Sequence, residues 1–249
     1  MAEPIISVRD VTKDFMLPHL VQTTIKSKVL NSFRRSTTKE VQQVLRGVSF
    51  DVMRGEFLGI VGRNGSGKST MLKVMAGIYQ PSSGGVSVWG RLVPFIELGV
   101  GFHSELSGRD NVYLNGALFG FSKAEVDAMY DDIVSFADLQ ESMDQKFKNY
   151  SSGMQVRMSF SVATRARADI LLIDEVLAVG DAAFQRKCYD HFRSLKQNGT
   201  TIVFVTHDMS VVREFCDRVI LLDAGTVAAE GSAEAISAEY LHRLLPGES

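Results

Sequence analysis

The apolar run Phe57 to Val61 leads directly into Gly62-Arg63-Asn64-Gly65-Ser66-Gly67-Lys68-Ser69, and helix-spaced apolar residues follow from Met71 to Ala76. The order is strand, glycine-rich loop, helix, and the loop matches G-x-x-x-x-G-K-[ST]. Gly77 stands just past the helix, where a stop signal belongs. The glycines let backbone N–H groups curl around phosphate oxygens. Lys68 brings positive charge to the β- and γ-phosphates, and the Ser69 hydroxyl can ligate Mg²⁺. The following helix points its N-terminal dipole at the same anion. Gly62, Arg63, Asn64, Gly65, Ser66, Gly67, Lys68, Ser69 and Thr70 are thus the candidate nucleotide cradle.

A strand ending in such a loop calls for an open α/β sheet, and the rest of the chain supplies one. Ile5 to Val11 alternates apolar and polar residues, as do Val48, Phe50 and Val52 before Arg54-Gly55. Pro81 to Gly85 is turn chemistry, and Val86 to Trp89 resumes a strand. Arg109 to Phe119 and Lys123 to Leu139 read as helices, with Ser107 and Ser122 as N-caps. Met158 to Arg167 reads as a further helix. Three apolar strands follow, Ile170 to Ile173, Thr201 to Val205 and Val219 to Leu222, separated by helical stretches. That alternation predicts parallel strands with crossover helices. Asp223-Ala224-Gly225 turns into Thr226 to Ala229 as a closing hairpin, and Ala233 to Leu244 is a terminal helix.

Ile170 to Ile173 ends in Asp174-Glu175, roughly 105 residues after the phosphate loop. Ligands of open α/β sheets sit at the carboxyl ends of strands. There Asp174 would hold Mg²⁺, directly or through water, and Glu175 would take a proton from an attacking water. Alone, an acid at a strand end is as often merely solvated; the phosphate loop upstream gives the pair its meaning.

Composition excludes several alternatives. A formal net charge of −2 over 249 residues gives no overall pull toward nucleic acid. The two cysteines, Cys188 and Cys216, form no C-x-x-C pair, so they read as reduced cytosolic thiols. No apolar run reaches the ~18 residues of a membrane span, and Met1 to Ser7 lacks the pattern of a secretory signal. A transmembrane role therefore needs a partner.

Tyr150-Ser151-Ser152-Gly153-Met154-Gln155 precedes the third helix, upstream of the acidic strand. With this segment the chain resembles the ABC transporter ATPases, whose signature reads Leu-Ser-Gly-Gly-Gln. Ser151 and Gly153 keep the consensus; Tyr150, Ser152 and Met154 depart from it. A serine hydroxyl and a close backbone amide at a helix N-terminus can bind a γ-phosphate. The resemblance runs from Ile5 to about Gly231. It implies a D-loop at Val176 to Asp181, with Asp181 as its carboxylate, and makes His207, in Thr206-His207-Asp208, the switch histidine. It places an aromatic ring against adenine, for which Phe15 matches by position, although a Phe after a strand also fits plain core. It expects a glutamine near position 97 or 98 touching metal and membrane partner; none is there, and Glu97 is the candidate for that place.

Tyr-Ser-Ser-Gly-Met, Glu175 to Asp181 with Phe184, and Glu97 to His103 occur together in one branch of the family. That branch resembles the ATPases exporting O-antigen, capsule or teichoic-acid polymers. Some of its members carry a C-terminal carbohydrate-binding domain; these 249 residues are expected to hold none. The fold implied is a P-loop NTPase of the ABC ATPase type: a RecA-like α/β core, an antiparallel β layer and a helical signature subdomain. One domain is expected over residues 1–249, with the β layer and an insertion over about 1–56. The α/β core falls over about 57–96 and 165–231, the helical subdomain over about 100–164 and the terminal helix over 233–245.

The resemblance further implies ATP and Mg²⁺ as cofactors and a homodimer in which each signature covers the other subunit's nucleotide. The partners it implies are an integral membrane permease and a polysaccharide or lipid-linked glycan, with no nucleic acid, at the cytoplasmic face of the cell membrane. An ATPase for another substrate shares the same chemistry. A soluble ABC ATPase acting on nucleic acid or ribosomes would show two ATPase units or a long inserted coiled coil, and neither is present. Leu17 to Gln43 carries Lys26, Lys28, Arg34, Arg35 and Lys39 against Glu40. Its apolar residues Ile25, Val29, Leu30 and Phe33 share one helical face. The stretch reads either as a solvated loop or as an amphipathic element at the membrane or the permease.

Overall fold

The computed structural model describes residues 3–17, 40–96, 101–165, 168–174 and 180–244. Two sheets are layered on each other. The first is antiparallel, in the order β2-β1-β4: β1 is Pro4–Leu17, β2 Glu40–Met53 and β4 Ser83–Val88. The second has the order β5-β6-β7-β3-β8-β9: β3 is Phe57–Val61, β5 Leu92–Phe95, β6 Ile170–Asp174, β7 Thr201–Val205, β8 Arg218–Asp223 and β9 Thr226–Gly231. Its members are parallel except β9, which returns antiparallel along β8.

The central strands read as continuous apolar runs because both faces of the sheet are covered. Side chains alternate between two cores. From β6 and β7, Leu171, Ile173, Ile202 and Phe204 pack on one side, with the helices. Ile170, Leu172, Val203 and Val205 pack on the other, against the antiparallel sheet and α1, Lys68–Met75. The period-two pleat does this sorting.

Beyond β5 come α2 (Gly108–Leu118), α3 (Lys123–Ala137) and α4 (Ser152–Arg165). Ser107 accepts from the Asp110 N–H as the N-cap of α2. Ser122 and Glu125 form a reciprocal capping box on α3. Then α5, Ala182–Gln197, and α6, Met209–Phe215, alternate with strands, and α7, Ala233–Leu244, ends the described chain. Cys188 and Cys216 are buried free thiols, each pushed up to about 12 by desolvation. Among the described residues no helix is long and apolar enough to cross a membrane.

Several elements depart from the sequence reading. β1 runs on to Leu17 and β2 starts at Glu40, because long pairing from Thr12↔Arg46 to Leu17↔Glu40 outweighs a weak local pattern. The basic and amphipathic residues of the stretch between them lie outside the described residues. Ser83 to Gly85 belongs to β4 rather than a turn, paired with β1 across an irregularity between Arg9 and Thr12. β5 has no counterpart in the reading: four residues with Pro94 inside give little signal. Pro94 is tolerated because β5 is the edge strand. The third helix starts at Ser152, not Met158, since Ser151 caps it: its hydroxyl accepts from the Met154 N–H at 3.2 Å.

Arg218 ties the two sheets together. Its guanidinium donates to Glu56 at 2.6 and 3.0 Å, to Glu230 at 2.5 Å and to the Asp51 carbonyl at 2.6 Å. Its pKa is raised above the ordinary arginine value, first by the Glu56 hydrogen bond. The Glu56 side chain is only 10% exposed, so losing the guanidinium strands a carboxylate. Arg218→Ala is expected to cost about 2–4 kcal/mol in denaturant unfolding. Adding Glu56→Gln should recover part of that loss; a fully additive double mutant would show that the two residues are not coupled.

Candidate nucleotide site

The phosphate loop is seated directly on β8. A Cβ on Gly62 would collide with the Leu222 carbonyl oxygen and lie 2.7 Å from the Ser66 hydroxyl, so only glycine fits. Gly67, with φ +106, caps α1 in the left-handed region without a side-chain bond, and a Cβ there would press on Leu45 at 2.9 Å. The Gly225 N–H donates to the Ser66 carbonyl at 3.1 Å, and the Gly225 carbonyl accepts from the Arg46 N–H at 2.8 Å. Loop, β8–β9 hairpin and antiparallel sheet thus hold each other.

Lys68 is buried, and its ammonium donates to the Gly62 and Arg63 carbonyls at 2.9 and 3.1 Å. The Ser66 hydroxyl is buried without a hydrogen-bond partner. Arg63, Asn64, Gly65 and Ser69 are exposed, and Thr70 is half-buried. An uncapped helix N-terminus, an orphaned buried hydroxyl and an ammonium folded onto its own loop fit an anionic chain of phosphates.

Sheet register brings the other candidates to the same edge. Asp174 pairs with Val205, and Val205 with Ile60. Asp174, Thr206-His207 and Gly62 therefore follow one row across neighbouring strands, with β6 two strand spacings, roughly 10 Å, from β3. Asp174 is half-buried and His207 exposed. Asp208 beside it caps α6, and its carboxyl is lowered first by the Ser210 hydroxyl, at 2.5 Å. Glu175, next after Asp174, and Glu97 lie outside the described residues.

Ser151, exposed, and Gly153, half-buried, stand at the N-terminus of α4. A Cβ on Gly153 would meet only the Ser151 hydroxyl, at 3.9 Å. Among the described residues nothing requires glycine there, although glycine in a helix costs up to ~1 kcal/mol relative to alanine. Asp181 is the N-cap of α5, accepting from the Phe184 N–H at 2.9 Å. That bond is the first cause of its lowered pKa; Arg157, on α4, contributes through charge. Phe15 is half-buried with its ring edge-on to Tyr79 at 5.5 Å and the Lys13 ammonium 5.1 Å away.

A mostly apolar groove of about 820 Å³ opens between the end of α1, β4–β5 and the helices α2 and α4, lined among others by Tyr79, Phe95, Phe102, Leu118 and Val162. The sequence reading missed this groove, which no local pattern encodes. It also missed the structural part of Gly225, where only the turn-forming Asp223-Ala224-Gly225 gave a signal. Asn111 and Asn115, both buried, were missed as well: they hold the His103 and Gly101 backbone, and their sole signal was polar residues on an apolar helix face.

The sequence matches the ABC transporter family model over residues 45–178. It is 42% identical over 246 residues to the O-antigen export system ATP-binding protein RfbB of Klebsiella pneumoniae, covering 96% of this chain and 98% of that protein. It is 43% identical to ABC transporter protein AbcA of Aeromonas salmonicida, over 98% of this chain and 78% of that protein. It is 39% identical to the teichoic acids export ATP-binding protein TagH of Levilactobacillus brevis, over 94% of this chain and 64% of that one. The fold superposes on a dimeric post-hydrolysis structure of the ATP-binding cassette MJ0796 bound to ADP and Pi, with TM-score 0.73, 23% identity and coverage of 92% and 98%. With the site built on a phosphate loop, a strand-end aspartate and a capped signature helix, the chain belongs to the ABC transporter family as an ATP-binding, ATP-hydrolysing subunit, in the branch that holds the O-antigen and teichoic acid export proteins.

Proposed function

We propose that this chain is a single ATPase domain that closes as a homodimer on two ATP molecules and drives export of a cell-surface polysaccharide or lipid-linked glycan through a separate membrane permease. The observation carrying the dimer is Gly153: a half-buried helix-start glycine whose missing Cβ would meet only the Ser151 hydroxyl, at 3.9 Å, among the described residues leaves room for a ligand from outside the chain. A phosphate chain held by one subunit's loop is such a ligand, and a two-fold axis then makes two equal sites. MJ0796, of the same fold, is dimeric in its ADP- and Pi-bound structure. The names of the relatives support the polymer class.

Lys68 and the N–H groups at the start of α1 bind the phosphates. Ser151 and the Gly153 amide of the partner copy approach the γ-phosphate from the far side. Asp181 keeps α5 capped beside the signature helix. Ser69 and Asp174 supply the hard oxygens suited to Mg²⁺. Among the described residues no three His, Cys, Asp or Glu side chains gather to hold a metal alone. Such an ion would draw its other ligands from phosphate and water, as Mg²⁺ commonly does. Held by Ser69 and Asp174, a Mg²⁺ ion would supply charge stabilisation to the transferring phosphoryl group.

Glu175 accepts the proton of the attacking water, and His207, at the same sheet edge, responds to the γ-phosphate. Glu97 is proposed at the metal and permease contact, and Phe15 at the adenine. The permease is proposed to seat a cytoplasmic segment in the 820 Å³ groove, beside Phe102 and exposed Leu118, with the chain at the inner face of the cell membrane; the groove's apolar lining supports this reading.

Glu175→Gln is expected to keep ATP binding and lower turnover by ~10²–10⁴-fold. Size-exclusion with ATP should then show a lasting dimer; near-normal hydrolysis would remove Glu175 from the base role. Gly153→Ala separates the two halves of the site. It should leave melting temperature equal or slightly raised, because alanine favours the helix, and leave ATP affinity of the monomer unchanged. ATP-driven dimerisation and turnover should fall. Lys68→Ala should instead abolish monomer binding. Equal loss of monomer binding in both mutants would contradict the arrangement across subunits.

A further inference from the structure

The strand of chain that delivers Ser151 to α4 is zipped along the loop that follows residue 100. Phe147 N–H donates to the Leu106 carbonyl at 2.8 Å, Lys148 N–H to Ser104 at 2.9 Å and Gly108 N–H to Gln145 at 3.0 Å. Ser107 and Lys146 form an antiparallel bridge. Glu105 receives Lys148 at 2.9 Å and Lys146 at 3.0 Å, and the two ammonium groups hold its carboxyl at about 2. Three rings run along the seam: Phe102 stacks on Phe147 at 4.8 Å, and Phe147 meets Tyr150 at 5.2 Å.

Tyr150 ends this stack and immediately precedes Ser151. It is buried, with its hydroxyl donating to the Ser142 carbonyl at 2.8 Å, and burial pushes its pKa up to about 12. Gln155 on α4 reaches back to the Tyr150 carbonyl at 3.3 Å. The hydroxyl occupies the space of the missing Cβ of Gly108, the first residue of α2, so a side chain there would collide with it. A leucine at 150, the usual signature residue, would neither reach Ser142 nor require glycine at 108. At the other end, Phe102 lines the large groove, and its neighbour His103 is gripped through its backbone by Asn111 at 2.7 and 3.0 Å.

We propose that Tyr150 is a positioning residue for the reaction: lodged against Gly108 and Ser142 and stacked through Phe147 on Phe102, it fixes where Ser151 stands relative to the groove. The inference rests on the reading of Ser151 as a ligand of the partner's nucleotide. It follows that anything seated in the groove against Phe102 is felt at Ser151 through one continuous run of ring contacts, Phe102 stacked on Phe147 and Phe147 tilted against Tyr150. Reacting groups displaced by about an ångström lose up to ~10²-fold in rate, so a shift of Tyr150 is read in turnover rather than in nucleotide affinity.

The test uses the full chain with Tyr150→Phe, Gly108→Ala and the double mutant, with Ser151→Ala as reference. Melting temperature, affinity for a fluorescent ATP analogue and kcat are measured for each. Tyr150→Phe, which keeps the ring and loses the Ser142 bond, is expected to lower kcat by about 3- to 10-fold. Gly108→Ala, which drives a methyl against the hydroxyl, should lower it by roughly 10- to 100-fold. Affinity should stay within about 2-fold in both. In the double mutant the hydroxyl is gone, and kcat should rise above that of Gly108→Ala alone. A merely structural tyrosine would lower melting temperature and binding capacity together and leave kcat per bound nucleotide unchanged. If Ser151→Ala loses turnover while Tyr150→Phe keeps it in full, the positioning role is overturned and the reading of Ser151 stands. Should Ser151→Ala itself turn over normally, that reading falls and this one with it. Gly108→Ala failing to fold leaves the decision to Tyr150→Phe.

Discussion

The close approach of Gly62 to the Leu222 carbonyl is the contact on which the nucleotide site depends. It sets the first residue of the phosphate loop flush on β8, and the Gly225–Ser66 and Gly225–Arg46 backbone bonds carry that anchoring across the loop to the antiparallel sheet. The loop is thereby preorganised before any anion arrives. An isolated glycine-rich loop would have to lose backbone entropy of ~1–2 kcal/mol per residue on binding.

The register of the parallel sheet does the next part of the work. Because β6, β7 and β3 run together, Asp174, the Thr206–His207 turn and Gly62 emerge at one edge. The same pleat splits each strand's side chains between two cores. A slip of one residue would exchange them and turn Asp174 away. The edge is therefore fixed by hydrophobic packing far from the chemistry, with Arg218 joining the two sheets at the opposite, amino-terminal end of β8.

The helical part is held differently. Its signature helix is capped by Ser151, the segment before it is bound through the Phe147 and Lys148 N–H groups to the loop after residue 100, and Asn111 and Asn115 hold that loop to α2. Beside its aliphatic core, this unit holds the ring contacts of Phe102, Phe147 and Tyr150 and the buried side-chain amides of Asn111 and Asn115.

Local chemistry was legible in the sequence wherever one short stretch carried the whole signal. The phosphate loop needs eight consecutive residues, Ser122–Glu125 is a cap within four, and β7 is an unbroken apolar run, so each could be read without knowing its neighbours. The extension of β1 and β2, the proline-bearing edge strand β5 and the early start of the signature helix were not legible, because long-range pairing or a single cap decides them. Glycine at 62 and serine at 151 were readable as motif letters. That Gly62 must lack a Cβ because of Leu222, that Gly108 must lack one because of Tyr150, and that Gly153 has no such reason among the described residues, only the folded structure decided. Steric exclusion between residues far apart in sequence leaves no trace in local composition, whereas hydrogen-bonding and charge preferences within one turn do.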